Sequence, residues 1–276
     1  MKKTLFLLCI TIPCLAVAQN PSPAEILSKQ PFVIGESITL YSQVLQEDRI
    51  LNIYLPEGYA ENDSTTYPVI YVLDGSADED FIHIAGLTQF ASFSWIADIE
   101  PSIVVGIANV DRRRDYTFPT TIEEDKINFP TTGRSAAFIS FLDREVIPLI
   151  NAQYKVNNNR TLIGQSLGGL LATEILFQHA SMFNRYIIVS PSLWWDNESL
   201  LQQNRNGKND LQNIPIYIAV GEEGKIMVRD AKALKKNIEY HNPFAQVHLE
   251  YIRGKDHGNI LHEAVMRAFA YRGSEK

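Results

Sequence analysis

From residue 68 onward the chain alternates strictly between short β-branched runs and longer stretches with helical period, and this pattern limits the fold more than any other. Pro68-Val69-Ile70-Tyr71-Val72-Leu73 is a near-continuous apolar run, the signature of a strand buried on both faces. Further strands are expected over 102–109, 160–164, 185–190, 214–220 and 247–253. Helical periodicity fills 79–98, 134–153, 167–180, 228–240 and 258–272. Ahead of this, the runs Ile38 to Gln46 and Ile50 to Leu55 flank the polar Glu47-Asp48-Arg49 and read as a hairpin. The expectation is an α/β domain with a mostly parallel eight-stranded sheet and helices on both faces. In such sheets ligands sit at the carboxyl ends of the strands. Asp111 to Thr132 shows no period, and a loop that long in a compact domain is usually functional or disordered.

The first residues read as a leader. Met1-Lys2-Lys3 is a short positive start, Leu5 to Ala18 is almost wholly apolar, and Ala16-Val17-Ala18 is a small-x-small cleavage site. The apolar run is short for a membrane span and contains Pro13. Residues 1–18 are therefore expected to be a signal peptide cut after Ala18, leaving 19–276 as one domain that is exported to a periplasm or secreted. Both cysteines, Cys9 and Cys14, fall in the leader, so the mature chain offers no disulfide and no thiol nucleophile. The formal net charge of −7 argues against nucleic acid or an anionic membrane as the main partner. The local run Arg112-Arg113-Arg114 is too short to reverse that balance.

Gly164-Gln165-Ser166-Leu167-Gly168-Gly169 carries the chemistry. The segment before it is a strand and the segment after it a helix, which makes G-x-S-x-G a strand–turn–helix elbow. Such a turn lifts Ser166 Oγ above the sheet at a helix N-terminus, where negative charge is favoured. A serine hydroxyl is a weak nucleophile and needs a base. Among six histidines, His257 in Asp256-His257-Gly258 follows the last strand and precedes the last helix, so it is the expected base. His83, His179, His241, His248 and His262 lie in or beside regular elements and read as structural. The acid that orients the base should follow strand 214–220, where Glu222 and Glu223 are adjacent. Glu223 is the first choice and Glu222 the second, ahead of Asp230 and Asp196.

The oxyanion hole needs two backbone N–H groups. Leu167 is expected to supply one and Ser76, after Asp74-Gly75, the other. Ser76-Ala77-Asp78-Glu79 reads as a capping box for the next helix. Trp194 and Trp195 follow a strand end and either wall an acyl group or cover the core. Arg112 and Tyr116 open the long loop and are candidate substrate contacts, with one arginine suited to a carboxylate or phenolate. No motif for a metal is present, and the chemistry needs no metal and no cofactor.

Four segments, Tyr67 to Gly75, Gly164 to Gly169, Ser190 to Asp196 and Asp256 to Gly258, resemble the "putative esterase" family of α/β-hydrolases. That family takes in esterase D-like enzymes, siderophore esterases, feruloyl esterases and mycolyltransferases, and the resemblance is nearest to the siderophore-esterase-like branch. It implies the α/β-hydrolase fold, Ser166 with His257, a Glu or Asp after the seventh strand or a Ser–His dyad without one, and the Asp74-Gly75-Ser76 turn as half of the oxyanion hole. The expected function is hydrolysis of a small-molecule carboxylic ester through an acyl-enzyme. The alternatives are a feruloyl- or acetyl-type carbohydrate esterase, an acyltransferase, or a non-catalytic binding module. The oligomeric state is not legible in the sequence.

Overall fold

Eight strands form a single sheet in the order β1-β2-β4-β3-β5-β6-β7-β8. The structure, a computed structural model, describes residues 24–271 except 63, 203–210 and 212. The leader expected over residues 1–18 lies outside the described residues. Residues 24–33 carry no helix or strand. The sheet and its helices belong to a compact unit that starts at Ile34.

The opening hairpin is β1 (Gly35–Ser42) and β2 (Glu47–Tyr54), antiparallel to each other, and β2 is antiparallel to β4 (Ile103–Ile107). All other pairings are parallel. They join β3 (Tyr67–Val72), β5 (Val156–Gln165), β6 (Arg185–Val189), β7 (Pro215–Val220) and β8 (Gln246–Tyr251). This is the mostly parallel α/β arrangement that the alternation predicts.

Two apolar cores lie on opposite faces, and alternate strand residues feed alternate cores. Ile70 and Val72 join Val104 and Ile163 under α1 (Phe81–Ala91) and α9 (Ile260–Ala270). Val69 and Tyr71 join Val105 and Leu162 under α4 (Ser135–Phe141), α6 (Leu167–Gln178) and α8 (Lys225–His241). Strands covered on both sides need apolar residues at every position, which is why the central ones read as unbroken runs. Each buried Val, Leu or Ile contributes about 1.5–3 kcal/mol.

Three expectations shift. The hairpin turn spans Gln43 to Gln46, and Glu47-Asp48-Arg49 belong to β2. Arg49 is fully buried: its Nη1 lies 2.7 Å from Asp115 Oδ2 and its guanidinium 5.2 Å from the Phe138 ring centroid. A charge inside is tolerable only when paired in this way. The helix expected over 134–153 is α4, a π turn (Leu142–Val146) and α5 (Ile147–Gln153), with Pro148 in the first turn of α5. The segment after Asp111 is ordered into α2 (Arg112–Tyr116) and α3 (Glu123–Asn128). Asp111 Oδ1 caps α2 by accepting the Arg114 N–H at 3.0 Å.

Candidate active site

The elbow between β5 and α6 holds Ser166 at φ 59°, ψ −120°. That region is sparsely populated for a residue with a side chain, and such strain clusters at active sites. The turn closes because glycine lets the backbones touch. A Cβ at Gly164 would stand 2.3 Å from the Gly168 carbonyl oxygen. Ser166 N donates to Val189 O, and Ser166 O accepts from Leu170 N and Ser192 N, each at 3.0 Å. The Ser166 hydroxyl lies 3.3 Å from Ser192 Oγ, and among the described residues Ser192, not His257, is its hydrogen-bond partner. Ser192 was not among the sequence candidates. Its signals are its place in the loop after β6 and within the family-like segment Ser190 to Asp196.

His257 and Glu223 come from neighbouring loops. Strands β7 and β8 pair in parallel with Val220 opposite Tyr251, so the turns that follow them lie side by side. Glu223 Oε2 is 2.6 Å from His257 Nδ1. Its Oε1 accepts the Gly221 N–H at 2.9 Å and the Ser190 hydroxyl. The Glu223 side chain is 2% exposed and that of His257 46%. Burial by itself would raise the Glu223 carboxyl. The hydrogen bonds from His257, Ser190 and Gly221 outweigh it and hold the group below the usual range. Glu222 is exposed and accepts the Gly254 N–H at 3.1 Å, so Glu223 is the glutamate that meets the histidine. Asp230 is buried against Arg229, away from His257. The His257 loop is also tied to the elbow, where Gln165 Nε2 donates to the His257 main-chain O at 2.5 Å.

The turn after β3 presents the second candidate N–H. Gly75 N donates to Ile107 O at 3.0 Å, and a Cβ there would lie 2.3 Å from Gly106 Cα. Asp74 N donates to Tyr116 Oη at 2.9 Å. The Ser76 N–H has no recorded acceptor among the described residues. The Leu167 N–H is the first of α6, where a helix offers no internal acceptor. The capping box expected over Ser76 to Glu79 is not formed. Helix α1 starts at Phe81, and Glu79 Oε2 instead accepts from Asn109 Nδ2 at 3.1 Å. Asp80 is pushed up to about 6 by burial, with Asp74 and Glu79 adding repulsion.

Arg112 reaches back across this turn. Its Nε and Nη2 hold the Asp74 carboxylate at 2.6 and 2.9 Å, and Nη2 also donates to Gln165 O at 3.3 Å. It thus ties the turn after β3 to the elbow while lining the cavity beside Ser166. Tyr116 requires a correction as a substrate contact. It is fully buried, and its hydroxyl is occupied by the Asp74 N–H, so it supports the turn from beneath.

A cavity of about 250 Å³ opens at Ser166 and is walled by Ser192, Trp194, Trp195, Phe129 and Thr132. Both tryptophans line the cavity, and Trp195 also belongs to the core. Trp194 is 40% exposed and faces the cavity, whereas Trp195 is 2% exposed and donates from Nε1 to Phe118 O at 2.9 Å. Asp196, the last acid candidate, points away from the histidine. Its Oδ1 takes Thr121 N at 2.5 Å, Thr121 Oγ1 at 2.9 Å and Thr120 Oγ1 at 3.0 Å. Burial would raise the Asp196 carboxyl, but hydrogen bonds from Ser199, Thr121 and Thr120 hold it low.

Residues 42–258 match the esterase family described as "Putative esterase". The chain belongs to this family. Within it, the chain is 27% identical over 197 residues to the ferri-bacillibactin esterase BesA of Bacillus subtilis, covering 64% of this chain and 66% of that protein. It is 31% identical over 144 residues to a siderophore triacetylfusarinine C esterase of Aspergillus fumigatus, covering 49% of this chain and 48% of that one. The chain thus spans less than two thirds of these curated relatives' lengths. An IroE-like serine hydrolase from Shewanella oneidensis superposes with a TM-score of 0.78 at 29% identity, over 86% of this chain and 79% of that one. The α/β-hydrolase architecture is therefore shared with that serine hydrolase. Among the described residues, no helix is long and apolar enough to cross a membrane.

Proposed function

We propose that this esterase-family chain hydrolyses carboxylic esters through Ser166, with His257 as general base, Glu223 as the group that orients it, and an acyl-enzyme between two half-reactions. The observation that carries the reading is the 2.6 Å Glu223–His257 pair in the loop beside a serine held on a strained elbow. Bonding of Nδ1 to the carboxylate leaves Nε2 to take the Ser166 proton as Oγ attacks the ester carbonyl. The ring moves onto Ser166 from a resting state in which Ser192 partners the hydroxyl, since catalytic hydrogen bonds tighten in the substrate complex. The oxyanion is held by the N–H groups of Leu167 and Ser76. The protonated imidazole then releases the alcohol, and a water activated by the same ring cleaves the acyl-enzyme.

The substrate class proposed is a siderophore-type ester, the kind named for both curated relatives. Trp194 supplies an apolar wall for its acyl part, and Arg112, paired with Asp74, lines the same cavity. The N-terminal leader directs the chain to export, so substrate is met outside the cytoplasm. The test is hydrolysis of short-chain p-nitrophenyl esters by the mature chain beside Ser166→Ala. Turnover should fall by roughly 10³–10⁶ in the variant. A folded parent with no turnover on these esters or on ferric trilactone siderophores would sink the reading.

A further inference from the structure

Three consecutive residues without glycine, Asp196, Asn197 and Glu198, sit in the left-handed region at φ 49°, 53° and 61°. Such a turn persists only where its surroundings over-determine it. Here it is pinned at three points. The Asp196 carboxylate takes three hydrogen bonds from Thr120 and Thr121, Glu198 is ion-paired with Arg229 of α8, and the neighbouring Trp195 donates to Phe118 O. Two of these pins close on the same segment, which runs from Phe118 through α3 to Thr132 and carries Phe129 over the cavity. That segment is itself held from the other side, where the Arg113 guanidinium lies 4.7 Å from the Phe129 ring centroid. Trp194 stands at the cavity edge two residues before Asp196.

We infer that Asp196 is a positioning residue that latches the 117–133 segment onto the Trp194–Trp195 turn and thereby sets the size of acyl group the cavity accepts. The inference rests on the esterase reading above and deepens it to the specificity of that site. Asp196 does not touch Ser166 or His257. It acts through the spacing of two walls, Trp194 on one side and Phe129 with Thr132 on the other.

The experiment compares Asp196→Ala, Asp196→Asn and Thr121→Val with the parent on p-nitrophenyl acetate and p-nitrophenyl benzoate. Asparagine keeps an acceptor oxygen and tolerates the left-handed backbone, so it should rescue most of what alanine loses. For Asp196→Ala the KM for the benzoate should rise by about tenfold, the scale on which an apolar pocket discriminates, and for Thr121→Val, which keeps two of the three bonds to Asp196, by about two- to threefold. The kcat for the acetate should stay within about twofold, because a two-carbon acyl group needs little of the cavity. An unchanged benzoate-to-acetate ratio in both variants overturns the inference, as does an equal loss on both esters. A second readout does not depend on turnover. In a Trp95→Phe background, emission comes from Trp194 and Trp195 alone, since the chain has three tryptophans. Acrylamide quenching should then increase about twofold or more on Asp196→Ala, and unchanged quenching overturns the latch. A parent inactive on every ester counts against the esterase reading, while the quenching still decides the latch.

Discussion

Glu223 lies 2.6 Å from His257 Nδ1, and its other carboxylate oxygen is held by the Gly221 N–H and the Ser190 hydroxyl. The residue beside it in sequence, Glu222, is turned to the Gly254 N–H instead. Two adjacent glutamates therefore have separate duties. Glu223→Ala should lower kcat by about 10³–10⁴, the scale seen when the orienting acid of a triad is lost. Glu222→Ala should leave kcat within about twofold, since it removes one exposed hydrogen bond. Steady-state kinetics on a p-nitrophenyl ester reads both. Equal losses in the two variants would contradict the assignment.

Tyr116 stands under the turn after β3 that carries the proposed oxyanion N–H, accepting the Asp74 N–H at 2.9 Å while itself fully buried. Tyr116→Phe leaves that N–H without an acceptor, which costs about 1–3 kcal/mol. The Ser76 N–H should drift with the turn, and kcat should fall by about tenfold or more with KM little changed. Thermal unfolding and kinetics together check this, and a stable variant with parental kcat would free the turn from Tyr116.

Arg49 and Asp115 form a buried pair at 2.7 Å that fastens β2 to α2, the helix that carries Arg112 and Tyr116. Arg49 also pairs with Glu47 at 2.9 Å and Asp115 with Arg114 at 2.7 Å, so Asp115→Asn leaves Arg49 one carboxylate partner and should destabilise the fold by about 1.5–3 kcal/mol, the scale of a hydrogen bond to a charged group. Replacing both with apolar residues of similar volume should cost much less. Denaturant titration of the single and double variants separates the two outcomes.

Glu174 on α6 is 3% exposed, and its Oε2 has no hydrogen-bond partner. Burial pushes its carboxyl up to about 7. A folded value above the unfolded one means that the stabilisation is fully present below about 4.5 and is lost as pH rises through about 7. Glu174→Gln removes that loss. The unfolding free energy of the variant relative to the parent, read by denaturant titration, should climb between pH 5 and pH 8 by an amount on the order of 2–3 kcal/mol. A difference that is flat with pH would show that Glu174 is not held neutral.

Much of the fold was legible because its signals are local. Pro68 to Leu73 is apolar at every position because a strand covered on both faces needs it to be, and α8 repeats Ala231, Leu234 and Ile238 on its buried side. The elbow was legible for the same reason. A Cβ at Gly164 would meet the Gly168 backbone at 2.3 Å and one at Gly169 the Pro191 backbone at 2.9 Å, so the turn writes itself into neighbouring residues. Where local signals conflicted with distant partners, the reading slipped. Glu47-Asp48-Arg49 has the polarity of a turn, yet Arg49 is drawn into the interior by Asp115, which lies 66 positions away.

The sequence by itself determined the alternating elements, the strained serine at the end of β5 and a histidine after β8, because backbone sterics and hydrophobic period act over a few residues. The tertiary structure alone decided which of Glu222 and Glu223 meets His257, that Tyr116 is a buried support, and that Asp196 binds Thr120 and Thr121. Each of these depends on a hydrogen bond between loops that are brought side by side only when the strands pair. A bond that fails beyond about 3.5 Å leaves no trace in the spacing of residues along the chain.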